Sequence, residues 1–133
     1  MAVAKLLDSW ALLCYLEQVP GFEKMIDLFE KAVESSKPLL MCVVNWGEVY
    51  YQIARRFGDQ RAQEIEHLIE TLPIRLIEAD RDLTREAARI KTTKRMAYAD
   101  CFAVALARLR KADLYTGDPE FKMVEKEVKV VWL

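Results

Sequence analysis

The chain reads as an α/β domain, a central parallel sheet of about five short strands flanked by helices on both faces. Three observations predict this. Short apolar runs alternate with longer amphipathic stretches along the whole sequence. One run, LLMCVV at 39–44, is apolar throughout, as expected of a strand covered on both sides. The 133 residues, with only four glycines and four prolines, fit one domain over 1–133 joined by short connections.

Taken in order, AKLLD is a strand and SWALLCYLEQ a helix. GFEKMIDLFEKAVESS places Phe22, Ile26, Phe29 and Val33 at spacings of four, three and four, the mark of an amphipathic helix. LLMCVV follows Pro38 as a strand, and NWGEVYYQIARRFG opens on a cap-like Asn45 and stops at Gly58. DQRAQEIEHLIETL is helical up to Pro73, IRLIEA a strand, and DRDLTREAARIKTT a charged amphipathic helix. MAYADCFAVALARLRK is apolar nearly all round, so it is predicted to be largely buried. ADLYT, DPEFKMV and EVKVVWL complete the chain as strand, short helix and strand.

Composition narrows the function. A net charge of −1 and a pI near 5.9 leave a nucleic-acid surface to local patches only. Cys14, Cys42 and Cys101 are odd in number, lie far apart, and sit among apolar neighbours. They read as buried thiols of a reducing compartment. No apolar run approaches the roughly 18 residues of a membrane span, and the N-terminus lacks a signal-peptide core. A cytoplasmic protein is expected, with no membrane partner.

Ligands of parallel sheets bind beyond the carboxyl ends of the strands. Asp8, Glu48 and Asp118 fall there. Each has a second reading: Asp8 and Asp118 as helix caps, the latter before Pro119, and Glu48 as the far half of a capping box with Asn45. Asp100 is harder to explain structurally. It lies inside an apolar helix, with Met96, Ala103 and Val104 at the positions that could pair with it. An unpaired buried carboxylate costs several kcal/mol or protonates. Lys94 or Arg95 could reach it; a polar cavity holding a cation accounts for it better. Oxygen-only ligands select hard cations such as Mg²⁺ or Mn²⁺, and phosphodiester hydrolysis suits such a site.

The motifs Asp8-Ser9, Asn45-Trp46-Gly47-Glu48, Tyr98-Ala99-Asp100-Cys101-Phe102-Ala103 and Thr116-Gly117-Asp118-Pro119-Glu120-Phe121, in this order, resemble the PIN-domain family, most of all its VapC-type toxins. The resemblance spans essentially the whole chain. It implies a metal-dependent endoribonuclease with Asp8, Glu48, Asp100 and Asp118 as its acidic site and Thr116 organising it. It also implies a homodimer inhibited by a small cognate antitoxin, docked on the N-terminal helices that carry Leu12, Leu13, Leu16, Phe22, Ile26 and Phe29. Within that site, Asp8 and Asp100 are expected to hold the principal metal, Asp118 to complete it, and Glu48 to handle the attacking water.

For RNA contacts, Lys91, Lys94 and Arg95 in KTTKR are the first candidates, being close to Asp100 in sequence. Arg55-Arg56 and Arg108, Arg110 and Lys111 are others; each has an ordinary reading as a solvated face. Trp10 and Trp46 read as packing residues, with base stacking as the other option. His67 reads as exposed. Two other functions fit the same fold: an RNA-processing nuclease without an antitoxin, and an inactive scaffold that binds partners.

Overall fold

A computed structural model describes residues 3–133. The first two residues of the expected domain lie outside that range. The elements run β1 (Lys5–Leu7), α1 (Ser9–Glu17), α2 (Phe22–Ser35), β2 (Leu39–Cys42), α3 (Val43–Phe57), α4 (Asp59–Glu70), β3 (Ile74–Ile77), α5 (Arg81–Thr93), α6 (Tyr98–Arg110) and β4 (Asp113–Thr116). A 3₁₀ helix (Pro119–Val124) and β5 (Val130–Trp132) follow.

All five strands pair in parallel in the order β3-β2-β1-β4-β5. Register follows the apolar pattern. Leu6 pairs with Leu40 and Leu114, and these three face a core built with α5, α6 and the 3₁₀ helix. Leu7 and Leu39 face the other way, onto α1 and α2, and Met41 meets α3 and α4 on that side. Helices therefore cover both faces, as strands this apolar require. The order reverses on either side of β1, so the switch-point crevice opens at the carboxyl ends of β1 and β4.

Helix α6 is buried without interruption from Asp100 to Ala107, as its all-round apolarity predicts. Helix α2 is amphipathic as expected; its buried residues are Met25, Leu28, Phe29 and Ala32, while Val33 is 66% exposed. The stripe through Met25 has the same period as the one through Phe22, and docking against Tyr15 and β1 selects it; the Tyr15 and Phe29 rings meet edge-on at 4.7 Å. In α3 the strand LLMCVV ends two residues early, and Val43-Val44 already belong to the helix. Asn45 is thus no N-cap. It lies fully buried in the first turn, and its Nδ2 donates to the Ala99 carbonyl at 3.0 Å. Tertiary packing overrides the β preference of the two valines.

Phe121 is completely buried in the α5–α6 core and ties the 3₁₀ helix, with Asp118 and Glu120 upon it, to the sheet. Phe121→Ala should lower unfolding free energy by about 3–5 kcal/mol in denaturant titrations. His67→Ala, on an exposed helix face, should change it by less than about 0.5 kcal/mol.

Candidate active site

The carboxyl crevice is organised by one hydroxyl. Thr116 ends β4 fully buried, and its Oγ1 donates to Asp8 Oδ2, just past the end of β1. The same oxygen accepts the Asp118 N–H at 3.0 Å. Asp8 Oδ1 accepts the Ala11 N–H at 2.8 Å, so Asp8 both caps α1 and faces β4. Asp118 Oδ1 accepts the Glu120 N–H at 2.9 Å, capping the 3₁₀ helix that Pro119 begins. Both aspartates are therefore helix caps, and capping leaves them at the crevice. Glu48, one turn into α3, accepts from Ser9 Oγ through its Oε1, and the same single proton is shared with the Asn45 carbonyl, 3.1 Å from Ser9 Oγ. The capping box with Asn45 is absent, because Asn45 is inside the helix.

Asp100 is 7% exposed and unpaired; Lys94 instead lies 3.6 Å from Glu127. Oxygens of Asp100, Asp118 and Glu120 all lie within 4.8 Å of one another. Glu120 is the member that reasoning from sequence left out of the site. It stands two residues beyond Asp118, and its Oε1 accepts the Ala97 N–H at 2.7 Å, which holds it toward the start of α6. Its signal was its place within the Thr116–Phe121 motif. Asp8 and Glu48 are outside this tightest triad, and their negative charge still bears on Asp100.

The electrostatics follow from burial. Desolvation pushes the Asp100 carboxyl up to about 8, and the negative charges of Glu120, Asp118, Asp8 and Glu48 add to it. Desolvation likewise pushes Asp8 up to about 7, against the lowering effect of its bonds from Thr116 and Ala11. At an effective dielectric near 20, two carboxylates about 4 Å apart repel by roughly 4 kcal/mol. A divalent cation reverses that sign, and donors made only of oxygen suit a hard one. The residues present fit such an ion.

Packing completes the frame. The six-membered ring of Trp10 presses on Gly117 so closely that an added Cβ would stand 2.3–2.5 Å from its carbons. Trp10 thus packs against the backbone between Thr116 and Asp118. Trp46 stacks obliquely on Tyr50 at 5.8 Å and is also a packing residue. Of the basic run, Lys91 Nζ donates to the Met96 carbonyl at 2.6 Å and Lys94 faces Glu127. Arg95 is exposed and has no ion pair among the described residues.

The sequence matches the PIN domain family over residues 5–127. The chain belongs to that family. PIN domains are nucleases, and the crevice described above is where their chemistry would be placed. Solved structures agree on the fold. VapBC2 from Rickettsia felis, bound to a promoter DNA fragment, superposes with a TM-score of 0.78 at 12% identity, covering 97% of this chain and 98% of that one. A toxin–antitoxin complex from Klebsiella pneumoniae gives 0.66 at 17%, covering 96% of each. VapC20 from Mycobacterium tuberculosis, described as a sarcin-ricin loop cleaving toxin, gives 0.69 at 16%, covering 91% and 95%. No curated protein sequence matches the chain significantly. Among the described residues, no helix is long and apolar enough to cross a membrane.

Two expectations follow for this PIN domain. Because folded Asp8 and Asp100 keep protons that the unfolded chain releases above pH 3.8, metal-free stability should fall as pH rises from about 4 through about 8. Asp100→Asn should flatten that fall and melt roughly 5–10 °C higher than wild type at the alkaline end. Millimolar Mg²⁺ or Mn²⁺ should raise the melting temperature of wild type far more than that of the variant. Parallel melting curves across pH would count against an unpaired buried Asp100. Separately, Gly117→Ala should force Trp10 or the Thr116–Asp118 backbone to move. A loss of roughly 1–3 kcal/mol is expected in denaturant unfolding, with weaker Mn²⁺ binding by calorimetry.

Proposed function

We propose that this chain is a Mg²⁺- or Mn²⁺-dependent endoribonuclease and the toxin half of a toxin–antitoxin pair. The observation that carries the reading is the convergence of Asp100, Asp118 and Glu120 beside Asp8 at the switch-point crevice of a PIN fold. Asp8, Asp100 and Asp118 would hold the ion, with Glu120 as a further donor. When bound, it would neutralise the carboxylates, polarise a phosphoryl oxygen and make a bound water more acidic.

The remaining steps belong to the chain. Ser9 occupies Oε1 of Glu48, so Oε2 is the oxygen that remains to orient the attacking water and take its proton. Thr116 holds Asp8 and the Asp118 backbone in one arrangement, which pre-sets the site rather than leaving it to be ordered by substrate. Arg95 is the side chain of the basic run left to meet phosphate, with Lys91 and Lys94 shaping the loop behind it.

An antitoxin surface is supported by a cleft of about 430 Å³ between α1, α3 and α4. Leu16, Val19, Ile53 and Phe57 make it apolar, and Arg56 and Arg61 rim it. Such a groove suits the apolar face of a partner helix. Of the six apolar residues expected from sequence to form this surface only Leu16 lines the cleft; Val19 and residues of α3 and α4 supply the rest of its apolar lining, and no α2 residue takes part. The similar structures from Klebsiella pneumoniae and Mycobacterium tuberculosis, by their described activities, point the same way. A cytoplasmic homodimer completes the proposal.

The test is cleavage of a structured RNA pool by antitoxin-free protein. Cuts at few sites that require Mg²⁺ or Mn²⁺ are expected from wild type. Asp100→Asn should abolish them, and Glu48→Gln should slow them by roughly 10²–10⁴-fold. Equal inertness of all three proteins in every metal would sink the enzyme reading.

A further inference from the structure

A second cleft, of about 490 Å³, lies at the amino ends of β1, β2 and β3, the edge of the sheet opposite the carboxylates. Lys5 opens β1 there, whereas Asp8 follows the strand's other end, about 10 Å further along. Lys5, Lys31, Lys37, Arg75 and Arg110 line the cleft, and no Asp or Glu does. Lys31 is paired with Asp27 at 2.8 Å. The other four cations have no ion pair among the described residues. Lys37, Arg75 and Arg110 are exposed.

This concentration calls for an explanation, because the chain as a whole carries a net charge of −1. Arg56, Arg61, Arg85 and Arg89 each sit against a carboxylate, while Arg55, Arg81 and Arg108 form no ion pair among the described residues; what sets the cleft apart is four such cations round one lining that holds no Asp or Glu. Four unpaired cations round one concavity repel one another and stabilise nothing visible in the fold. The floor between them is apolar, with Leu28, Pro38 and Leu40, and Ser35 and Ser36 add hydroxyls at its edge. Cations above an apolar floor match a nucleotide unit, phosphate on the rim and base below.

The acidic crevice makes the same demand from the other side. Two of the three cations nearest in sequence to Asp100, Lys91 and Lys94, are already engaged, which leaves Arg95 alone there to meet phosphate. Further affinity for RNA would come from phosphate contacts elsewhere. We infer that the cleft between α2 and the amino ends of β1–β3 is an RNA exosite, gripping the phosphodiester backbone of the substrate away from the bond that is cut. The inference rests on the nuclease reading above and deepens it. An acidic peptide is the less fitting occupant, since arginine forks match phosphate bidentately and an apolar groove for protein lies between α1, α3 and α4.

The experiment is fluorescence anisotropy of a labelled single-stranded RNA of mixed sequence, titrated over a KCl series. The protein is the full chain carrying Asp100→Asn, with and without Lys37→Glu, Arg75→Glu and Arg110→Glu together. The three substitutions should lower the slope of log affinity against log salt by about 2 and weaken binding roughly 10–100-fold. An unchanged thermal melt would show the fold intact. In the wild-type background they should raise KM for long RNA and leave cleavage of an oligonucleotide too short to span both regions unchanged. Unaltered slope and affinity would overturn the exosite. So would intact RNA binding together with lost binding of polyglutamate, which would reassign the cleft to an acidic protein. Should wild type cut no RNA, the nuclease reading falls, and the anisotropy arm still decides the cleft by itself.

Discussion

The hydrogen bond from Thr116 to Asp8 joins the ends of the two strands between which the site opens, and the rest of the crevice is arranged around it. Neither residue has water to fall back on, since each is exposed by 1% or less. A buried hydroxyl must donate somewhere, and a buried carboxylate must accept. Each answers the other, and the remaining lone pair of Thr116 takes the Asp118 N–H. The last turn of β4 is thereby locked to the start of α1. Trp10, leading off α1, then covers Gly117 and leaves no room for a side chain between the two bonds.

From that lock the negative charge accumulates. Asp118 fixes the 3₁₀ helix, the helix carries Glu120, and Glu120 reaches back to the Ala97 N–H at the foot of α6. Asp100 enters from α6, whose first turn is tied to α3 by Asn45. Five acidic side chains come from four parts of the sequence, and their mutual repulsion is tolerated only because packing elsewhere is firm. Phe121 and the apolar length of α6 supply it. Burial keeps protons on Asp8 and Asp100 near neutral pH, which is how the metal-free protein holds such a cluster together. The arrangement gives up stability to hold oxygen donors together at one crevice.

Cations are distributed by a different logic. Near the crevice, Lys91 and Lys94 serve the loop that precedes α6. At the far edge of the sheet Lys5, Lys37, Arg75 and Arg110, without an ion pair among the described residues, line one cleft. On the proposed reading, separating the cleaving and gripping surfaces keeps the carboxylates desolvated while a polyanion is held by salt-dependent contacts.

The sequence by itself determined the order of strands and helices, the burial of α6, and the donor chemistry of the site. Apolar period, cap residues and side-chain type are local properties, and Asp100 was conspicuous because nothing on its own helix could pair with it. It did not settle which stripe of α2 would be buried, since Met25 and Phe22 lie on stripes of equal period. Nor did it decide that Asn45 belongs inside α3, where packing outweighs the preference of the valines before it. Glu120 joins Asp100 and Asp118 only because a 3₁₀ helix is folded back onto α6. The basic cleft assembles from Lys5, Lys37, Arg75 and Arg110, which are scattered along the chain. Convergence of distant residues depends on strand register and helix docking, and those are set by the whole core at once rather than by any segment of it.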